Sequence, residues 1–598
     1  MNSYLKRKID DNDMEAKKPK REECPHKERC YRRNPHHFKE FEHPFLMKLI
    51  DMGDALEIPE NMPQPKQVYL EQLDILKPIV ASQKSKNLEV KLKEEATSSQ
   101  TKPKTNKQQK VEKDSTDGPS NSKSPSKSAS KVSRKGKNTI FNSENVSENN
   151  TKCESGTMLE KMQKTAPYNL FFTTIPKSPE TSKEDNCITF TDLLCPSLGT
   201  LKSSLQINFM IDIDWLLKQY KARNLHQKPL TILYGDDWPD MVEFMNRFCP
   251  NVKYHFVKMK DPFGCHHSKI GIYAYEDDSI RIVISTANLY YEDWNHYNQG
   301  LWVSPKLRKL PEGSTIKDGE SPTGFKSDFL NYLTSYNVAV LKEWIDCVKT
   351  ADFSEVKVAF VYSAPGKHYP KTNGNHLHKV AELLSQYCVL PEKTTPQSEG
   401  PLSWGIIAQA SSIGSMGKTA AEWLRGCVLR SLASHKKSPK PNNSQATISL
   451  VYPSVDNVAH GYFGLQSGGC LPYSKATNEK QRWLQTYMHQ WIADGKRRTR
   501  AMPHIKSYCR ISPGLNKLAY FLLTSANLSK SAWGNNIQKD GGSYIRSYEA
   551  GVMFLPSFFN EDFFEIQNTS DNKNKKLFPF MFDLPLTPYK KDDYPWCN

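Results

Sequence analysis

Two stretches of this 598-residue chain carry the same set of reactive side chains. One begins at His266 and reads HHSKIGIYAYEDDSIRIVISTANLYYEDW; the other begins at His504 and reads HIKSYCRISPGLNKLAYFLLTSANLSKSAW. Each has His-x-Lys, an apolar run, Ser/Thr-x-Ala-Asn-Leu and a tryptophan shortly after. His267 precedes Asn288 by 21 residues, His504 precedes Asn527 by 23, and the two histidines are 237 residues apart. These side chains suit a phosphodiester. One imidazole can attack phosphorus and form a phosphohistidine. A second can protonate the leaving group and then deprotonate water. Lys269 and Lys506 supply fixed positive charge, and the amides of Asn288 and Asn527 can donate to non-bridging oxygens. With the lysines in that role, no catalytic metal is required. A single His-x-Lys would mean little; its duplication with a matched Asn-Leu and Trp carries the reading.

A second constellation lies near the start. Cys24-x5-Cys30-x6-His37-x5-His43 offers two thiolates and two imidazoles within 20 residues, a set that suits tetrahedral zinc. In so short a segment the metal would supply most of the folding energy. His26 and His36 are further histidines within reach.

The elements that must position these groups follow from the pattern of apolar runs. From about residue 165 onward, β-branched stretches such as INFMIDIDWLL and LTILYG alternate with amphipathic ones at 344–348 and 420–432. This predicts an α/β architecture. RIVISTAN and FLLTSAN read as buried strands of the parallel type. The repeat implies two similar halves, 164–349 and 350–598, packed face to face so that each gives one His-Lys-Asn set to a shared cleft. The polar stretch 434–445 reads as a surface loop.

Composition sets the remaining bounds. Lys plus Arg number 82 against 65 acids, for a net charge of +17, which favours polyanionic partners, chiefly nucleic acid. The excess is uneven: residues 84–137 hold 15 basic and 6 acidic side chains. Residues 84–163, rich in Lys, Ser, Thr and Asn, read as a disordered basic linker. Residues 44–83 read as a short helix or two, of no assigned function. In residues 1–23 the basic clusters 6–8 and 17–21 have the spacing of a two-part nuclear import signal. The first residues are charged and lack an apolar h-region, so they do not read as a secretory leader, and with no apolar run of about 18 residues a membrane span is not expected. The 13 cysteines are mostly scattered, as in a reducing compartment.

The paired motifs resemble the phospholipase D superfamily, whose usual pattern is His-x-Lys-x4-Asp. Here the two Asp positions hold Ala274 and Ile511. That departure, with Asn288 and Asn527, resembles the tyrosyl-DNA phosphodiesterase branch, of the type 1 kind. The likeness extends over AQASSIGS, LVYPSVDNV, GGCLPYS, AMPHIKSY and IRSYEAGV, roughly Pro167 to Trp596. It implies two α-β-α sandwich halves sharing one central cleft. It implies hydrolysis of a tyrosine joined to a DNA 3′-phosphate, such as trapped topoisomerase I leaves, with other blocked 3′-ends also processed. Within it His267 resembles the nucleophile and His504 the general acid/base. Lys269, Lys506, Asn288 and Asn527 resemble the phosphate-binding groups. Gln299 and Glu549 match positions that orient the histidines in place of the missing Asp. Ser412, Ser415 and Ser529 match contacts to the DNA backbone. Phe263 matches an aromatic on which a base can stack, although its sequence context equally fits a core residue at a strand end.

CPHKERCYRRNPHHFKEFEH resembles the poly(ADP-ribose)-binding zinc finger family, with Lys27 standing where that family usually has Gly. The resemblance implies a structural zinc on Cys24, Cys30, His37 and His43. It also implies poly(ADP-ribose) binding through Tyr31 and Arg32. A finger on a tether of about 120 residues would raise the enzyme's local concentration at DNA breaks. The expected setting is the nucleus, with the cytoplasm as a second setting, and the chain a monomer. The competing readings are another nuclease or phospholipase of the superfamily, and a non-catalytic DNA- or poly(ADP-ribose)-binding protein.

Overall fold

The structure, a computed structural model, describes scattered residues between 23 and 80 and nearly all of 156–598, with short breaks at 237–238, 371–373, 393–402, 439–445, 536–537 and 569–574. The chain separates into two compact units, residues 1–142 and 143–598. Among the described residues no helix is long and apolar enough to cross a membrane.

The larger unit holds two eight-stranded sheets. The first is built from β1 (Leu170–Thr173), β2 (Cys187–Ile188), β3 (Leu201–Ile207), β4 (Leu230–Tyr234), β5 (Val252–Phe256), β6 (Ile270–Tyr275), β7 (Ile280–Ser285) and β8 (Gly300–Val303). In the second half come β9 (Ala359–Ser363), β10 (Gly366–His368), β11 (Gly405–Gln409), β12 (Ile448–Val451), β13 (Met488–His489), β14 (Ser507–Ile511), β15 (Lys517–Thr524), β16 (Ser543–Ile545), β17 (Glu549–Phe554) and β18 (Phe564–Glu565). β10 and β16 form a small separate ribbon.

The sheets share one topology. The first runs β2-β1-β8-β7-β6-β3-β4-β5, and the second β9-β17-β15-β14-β11-β12-β13, with β18 also on β15. Matched neighbours also share direction: β3/β4 and β11/β12 are parallel, and β6/β7 and β14/β15 are antiparallel. The duplication expected from the motifs is therefore a duplication of the whole sheet. One expectation fails. RIVISTAN and FLLTSAN are buried, but β7 and β15 are antiparallel to the strands beside them. Their unbroken apolar character reflects cover on both faces rather than strand direction.

Helices cover the sheets, among them Ile213–Lys221, Phe325–Ser335 and His376–Tyr387. Lys342–Lys349 is helical and buries Trp344 and Val348, as its pattern predicts. The amphipathic stretch 420–432 is instead a π-helical turn at Leu424–Leu429 followed by one α-turn, Arg430–Leu432. The halves meet closely where the chain enters β8. A Cβ on Gly300 would lie 2.6 Å from Leu523 and 2.7 Å from Ile505, both from the second half, so a larger residue there would have to displace their side chains.

In the smaller unit the helix Pro44–Asp51 and helical positions at 68–70 and 72–77 share one core with Phe38. Leu46, Leu49, Ile58, Tyr69, Leu73, Leu76 and Val80 are its other buried members. Two long-range bonds tie this core to the cysteine loop. The Tyr69 hydroxyl donates to the Glu28 carbonyl at 2.6 Å, and the Gln72 amide to the Cys30 carbonyl at 2.7 Å.

Candidate active site and metal site

Both His-x-Lys segments lead directly into a strand, β6 or β14, and both asparagines follow one, β7 or β15. Because those strands are adjacent antiparallel pairs, each half sets its histidine, lysine and asparagine at one end of its sheet. Ala274 and Ile511 lie inside β6 and β14 and pack into the core, so no carboxylate stands at the usual superfamily position.

Carboxylate and amide partners arrive from the opposite half. Glu549, which opens β17, accepts from His267 Nδ1 at 2.9 Å. Gln299, just before β8, bonds His504 Nδ1 at 3.0 Å. The backbone crosses in the same way: His267 N–H donates to the Tyr548 carbonyl at 2.9 Å, and His504 N–H to the Asn298 carbonyl at 3.0 Å. A matched hydroxyl sets each partner. Ser525 donates to Glu549 at 2.5 Å and accepts the Ala550 N–H. Thr286 donates to Gln299 Oε1 at 2.8 Å and accepts the Gly300 N–H.

Asp293 belongs to the site, and the sequence reading missed it. Its Oδ2 lies 3.2 Å from His504 Nδ1 and accepts the Asn288 N–H at 2.5 Å. It is fully buried, on the short helix Tyr291–Asn295 that follows Asn288. The repeat hides it, because the matching position of the second half is Ala532. An acid five residues after the motif asparagine was the available signal.

The two imidazoles therefore differ. His267 Nδ1 faces a carboxylate, which holds the proton on Nδ1 and leaves the Nε2 lone pair for bonding. His504 Nδ1 faces an amide donor and a carboxylate acceptor together, so either ring nitrogen can carry its proton. Burial lowers the His267 pKa, with Glu549 opposing. Burial and then Lys506 bring His504 down to about 4. Burial alone would raise both carboxyls. For Glu549, His267 and Ser525 outweigh it; for Asp293, His504 does, aided by the Asn288 N–H; both end below the usual range.

Burial brings Lys269 to about 8. Burial, reinforced by Lys269, brings Lys506 to about 7. Lys269 Nζ donates to the His267 carbonyl at 2.7 Å. Lys506 Nζ and Asn288 Oδ1 are buried without a hydrogen-bond partner among the described residues. Two crowded ammonium groups, one of them unsatisfied, make a site that an anion would relieve. Asn527 is held more firmly. Its Oδ1 accepts from Ser411 N, Ser411 Oγ and Ser412 N at 3.0–3.2 Å, which leaves its NH2 to donate.

The remaining expected residues lie around this centre. Phe263 is 74% exposed, on a loop just before His266, so it is no core residue; the Arg546 guanidinium sits 5.5 Å from its ring centre. Ser412 is half-buried and donates its hydroxyl to the Pro472 carbonyl, and Ser415 is exposed. Ser529 caps the turn Lys530–Trp533, accepting from Ala532 N at 3.3 Å. Gly414 packs against Ser529, which brings the two serine loops together.

In the smaller unit Cys24, Cys30 and His43 are buried, with ligand atoms all within 4.8 Å of one another. Two sulfurs and an imidazole nitrogen at that separation fit zinc. Tyr31, Arg32 and His37 lie outside the described residues.

Fold and site together define a duplicated α/β protein with one composite His-Lys-Asn centre. The family described as "Tyrosyl-DNA phosphodiesterase" matches residues 169–590, and "PBZ domain" matches residues 21–45. "Tyrosyl-DNA phosphodiesterase 1" of Drosophila melanogaster is 38% identical over 592 residues, 96% of this chain and 98% of that protein. "Probable tyrosyl-DNA phosphodiesterase" of Caenorhabditis elegans is 33% identical, over 66% of this chain and 81% of its own length. The crystal structure of the yeast tyrosyl-DNA phosphodiesterase superposes with a TM-score of 0.54 at 22% identity, covering 72% of this chain and 99% of its own. The chain belongs to the tyrosyl-DNA phosphodiesterase family, hydrolases acting on phosphodiester bonds, and carries a PBZ finger ahead of the catalytic unit.

Proposed function

We propose that this chain repairs DNA by cleaving the bond between a tyrosine and a DNA 3′-phosphate in two displacements. His267 Nε2 attacks phosphorus, and the P–O bond to tyrosine breaks as His504 protonates the departing phenolate. His504 then takes a proton from water, the water oxygen attacks phosphorus, and the P–N bond breaks to free His267 and a 3′-phosphate. Lys269, Lys506, Asn288 and Asn527 stabilise the equatorial oxygens in both steps. Phenolate is a good leaving group, so the first step leans less on His504 than the second. The observation that carries the assignment is the unlike pair of Nδ1 environments. A nucleophile benefits from one fixed tautomer, whereas an acid/base must alternate. The test is a single-stranded oligonucleotide bearing a 3′-phosphotyrosine. Wild type should release the 3′-phosphate form, and His267→Ala should form no covalent product. His504→Ala should accumulate protein attached to DNA. The reverse pattern would exchange the two roles, and no turnover by wild type would refute the reaction.

The same reading places DNA against Phe263, Ser412, Ser415 and Ser529, with a topoisomerase-derived peptide as the leaving side, and takes the protein to act as a monomer. The PBZ match supports zinc on Cys24, Cys30, His37 and His43 and poly(ADP-ribose) binding through Tyr31 and Arg32. In that role zinc is structural and holds the finger's loops. The basic clusters at 6–8 and 17–21 support a nuclear location, tested by imaging a tagged protein with both clusters neutralised.

A further inference from the structure

His504 is held by a device that His267 lacks. The stretch leading to His504 is fastened to the first half by the side chain of Arg498, which is 1% exposed. Its Nη1 donates to the Thr173 carbonyl at 2.8 Å and to Asn298 Oδ1 at 2.9 Å. Nη2 donates to Cys187 Sγ at 2.7 Å, with the Glu184 carboxylate beyond hydrogen-bond range at 3.8 Å. The guanidinium also lies 5.9 Å from the Phe172 ring centre. Asn298 completes the fastening from the other side. Its Nδ2 donates to the carbonyls of Arg498 and Ala501, its N–H to the Met502 carbonyl, and its own carbonyl accepts from His504 N and Ile505 N. All its hydrogen-bonding groups thus go to residues 498–505.

These contacts converge on one atom pair. Asn298 directly precedes Gln299, whose amide meets His504 Nδ1. The Thr173 hydroxyl accepts the Gln299 N–H at 3.1 Å and donates to the Tyr297 carbonyl at 2.8 Å, while the carbonyl of the same Thr173 is held by Arg498. Arg498 and Asn298 thereby fix the backbones of both members of the Gln299–His504 contact. At the equivalent crossing behind His267, Tyr548 stacks on Tyr336 with ring centres 4.2 Å apart and an 8° tilt. Nonpolar contact takes the place of a buried cation there. A buried guanidinium whose nearest carboxylate, Glu184, stands 3.8 Å away without a hydrogen bond is costly, whereas its fork fixes several acceptors in one geometry.

We propose that Arg498 and Asn298 are positioning residues for His504, and that they govern resolution of the covalent intermediate rather than its formation. The inference rests on the two-step reading above. Displacing an acid/base by about 1 Å can cost on the order of 100-fold, and the step that leans most on His504 should show it.

The full chain is followed in rapid-quench assays on 3′-phosphotyrosyl oligonucleotide, with His504→Ala and His267→Ala as references. Arg498→Lys keeps the charge and loses the fork. It should leave the first-turnover burst near wild type, slow turnover by roughly 10- to 100-fold, and raise the steady-state fraction of protein–DNA adduct. Asn298→Ser, which keeps the backbone bonds, should do the same to a smaller extent and carries the test if Arg498→Lys does not fold. The adduct readout separates positioning from general destabilisation, which would lower both steps together. If His504→Ala accumulates adduct but neither variant does, the inference is wrong and the two-step reading stands. If His504→Ala accumulates none, the two-step reading falls and this inference with it.

Discussion

His267 and His504 have the same sequence surroundings and unlike partners, and their chemistry follows from the partners. Glu549 supplies charge and a fixed tautomer to His267. Removing its charge in Glu549→Gln should lower the rate of covalent bond formation by about 10²–10⁴-fold, read as loss of burst amplitude in rapid quench. Asp293 supports the imidazolium form of His504, so Asp293→Asn should shift its acidic pKa downward and raise adduct levels, measured across a pH series. The lysines add a pH effect whose sign is fixed. Lys506 near 7 and Lys269 near 8 are partly neutral in the free protein above those values. A bound phosphodiester favours their charged forms. Binding should therefore take up protons around pH 7–8 and weaken as pH rises through that range. Calorimetry of the His267→Ala protein in buffers of different ionisation heat measures this directly; absence of proton uptake would contradict it. His267, Lys269, Asn288 and their second-half counterparts were legible because the set occurs twice. Gln299 and Glu549 were legible only through family resemblance, since each acts on the histidine of the other half. Asp293 was not legible at all, because the repeat has Ala532 in its place.

At the scale of elements, strand existence was readable and strand direction was not. Val, Ile and Leu runs report burial on both faces, which β7 shares with any strand under helical cover. The stretch 420–432 has helical spacing but winds partly as a π-turn, and Cβ periodicity does not separate the two over so few residues. Residues 44–80 posed a different difficulty. Their apolar positions are clear, yet the surface they cover belongs to the finger. The core around Phe38, Tyr69 and Leu73 and the bonds to Glu28 and Cys30 make them a support for the cysteine loop. Truncating residues 53–80 should weaken zinc retention by about 10- to 100-fold, as loss of groups behind metal ligands does. Chelator competition with the isolated metal-loaded full chain and its truncation measures it. Equal retention would show that the helices fold independently of the metal loop.

At the scale of the whole molecule, the reactive centre and the metal site are in different compact units. Chelation should therefore strip the finger while leaving hydrolysis of a free oligonucleotide within about twofold, because in the proposed mechanism lysine ammonium groups carry the charge stabilisation. Parallel assays of zinc content and turnover check it. A proportional loss of both would put a metal in the reaction.

The crossed partners break the symmetry between the halves. A half of this kind cannot orient its own histidine, because the orienting group is one it offers to its neighbour. Standing alone it would have to pair with an identical copy, and a symmetric pair must give both imidazoles the same partner. Joining the copies into one polypeptide removes that obligation. Gln299 and Glu549 hold equivalent places in the two sheets, and within one polypeptide they are free to differ.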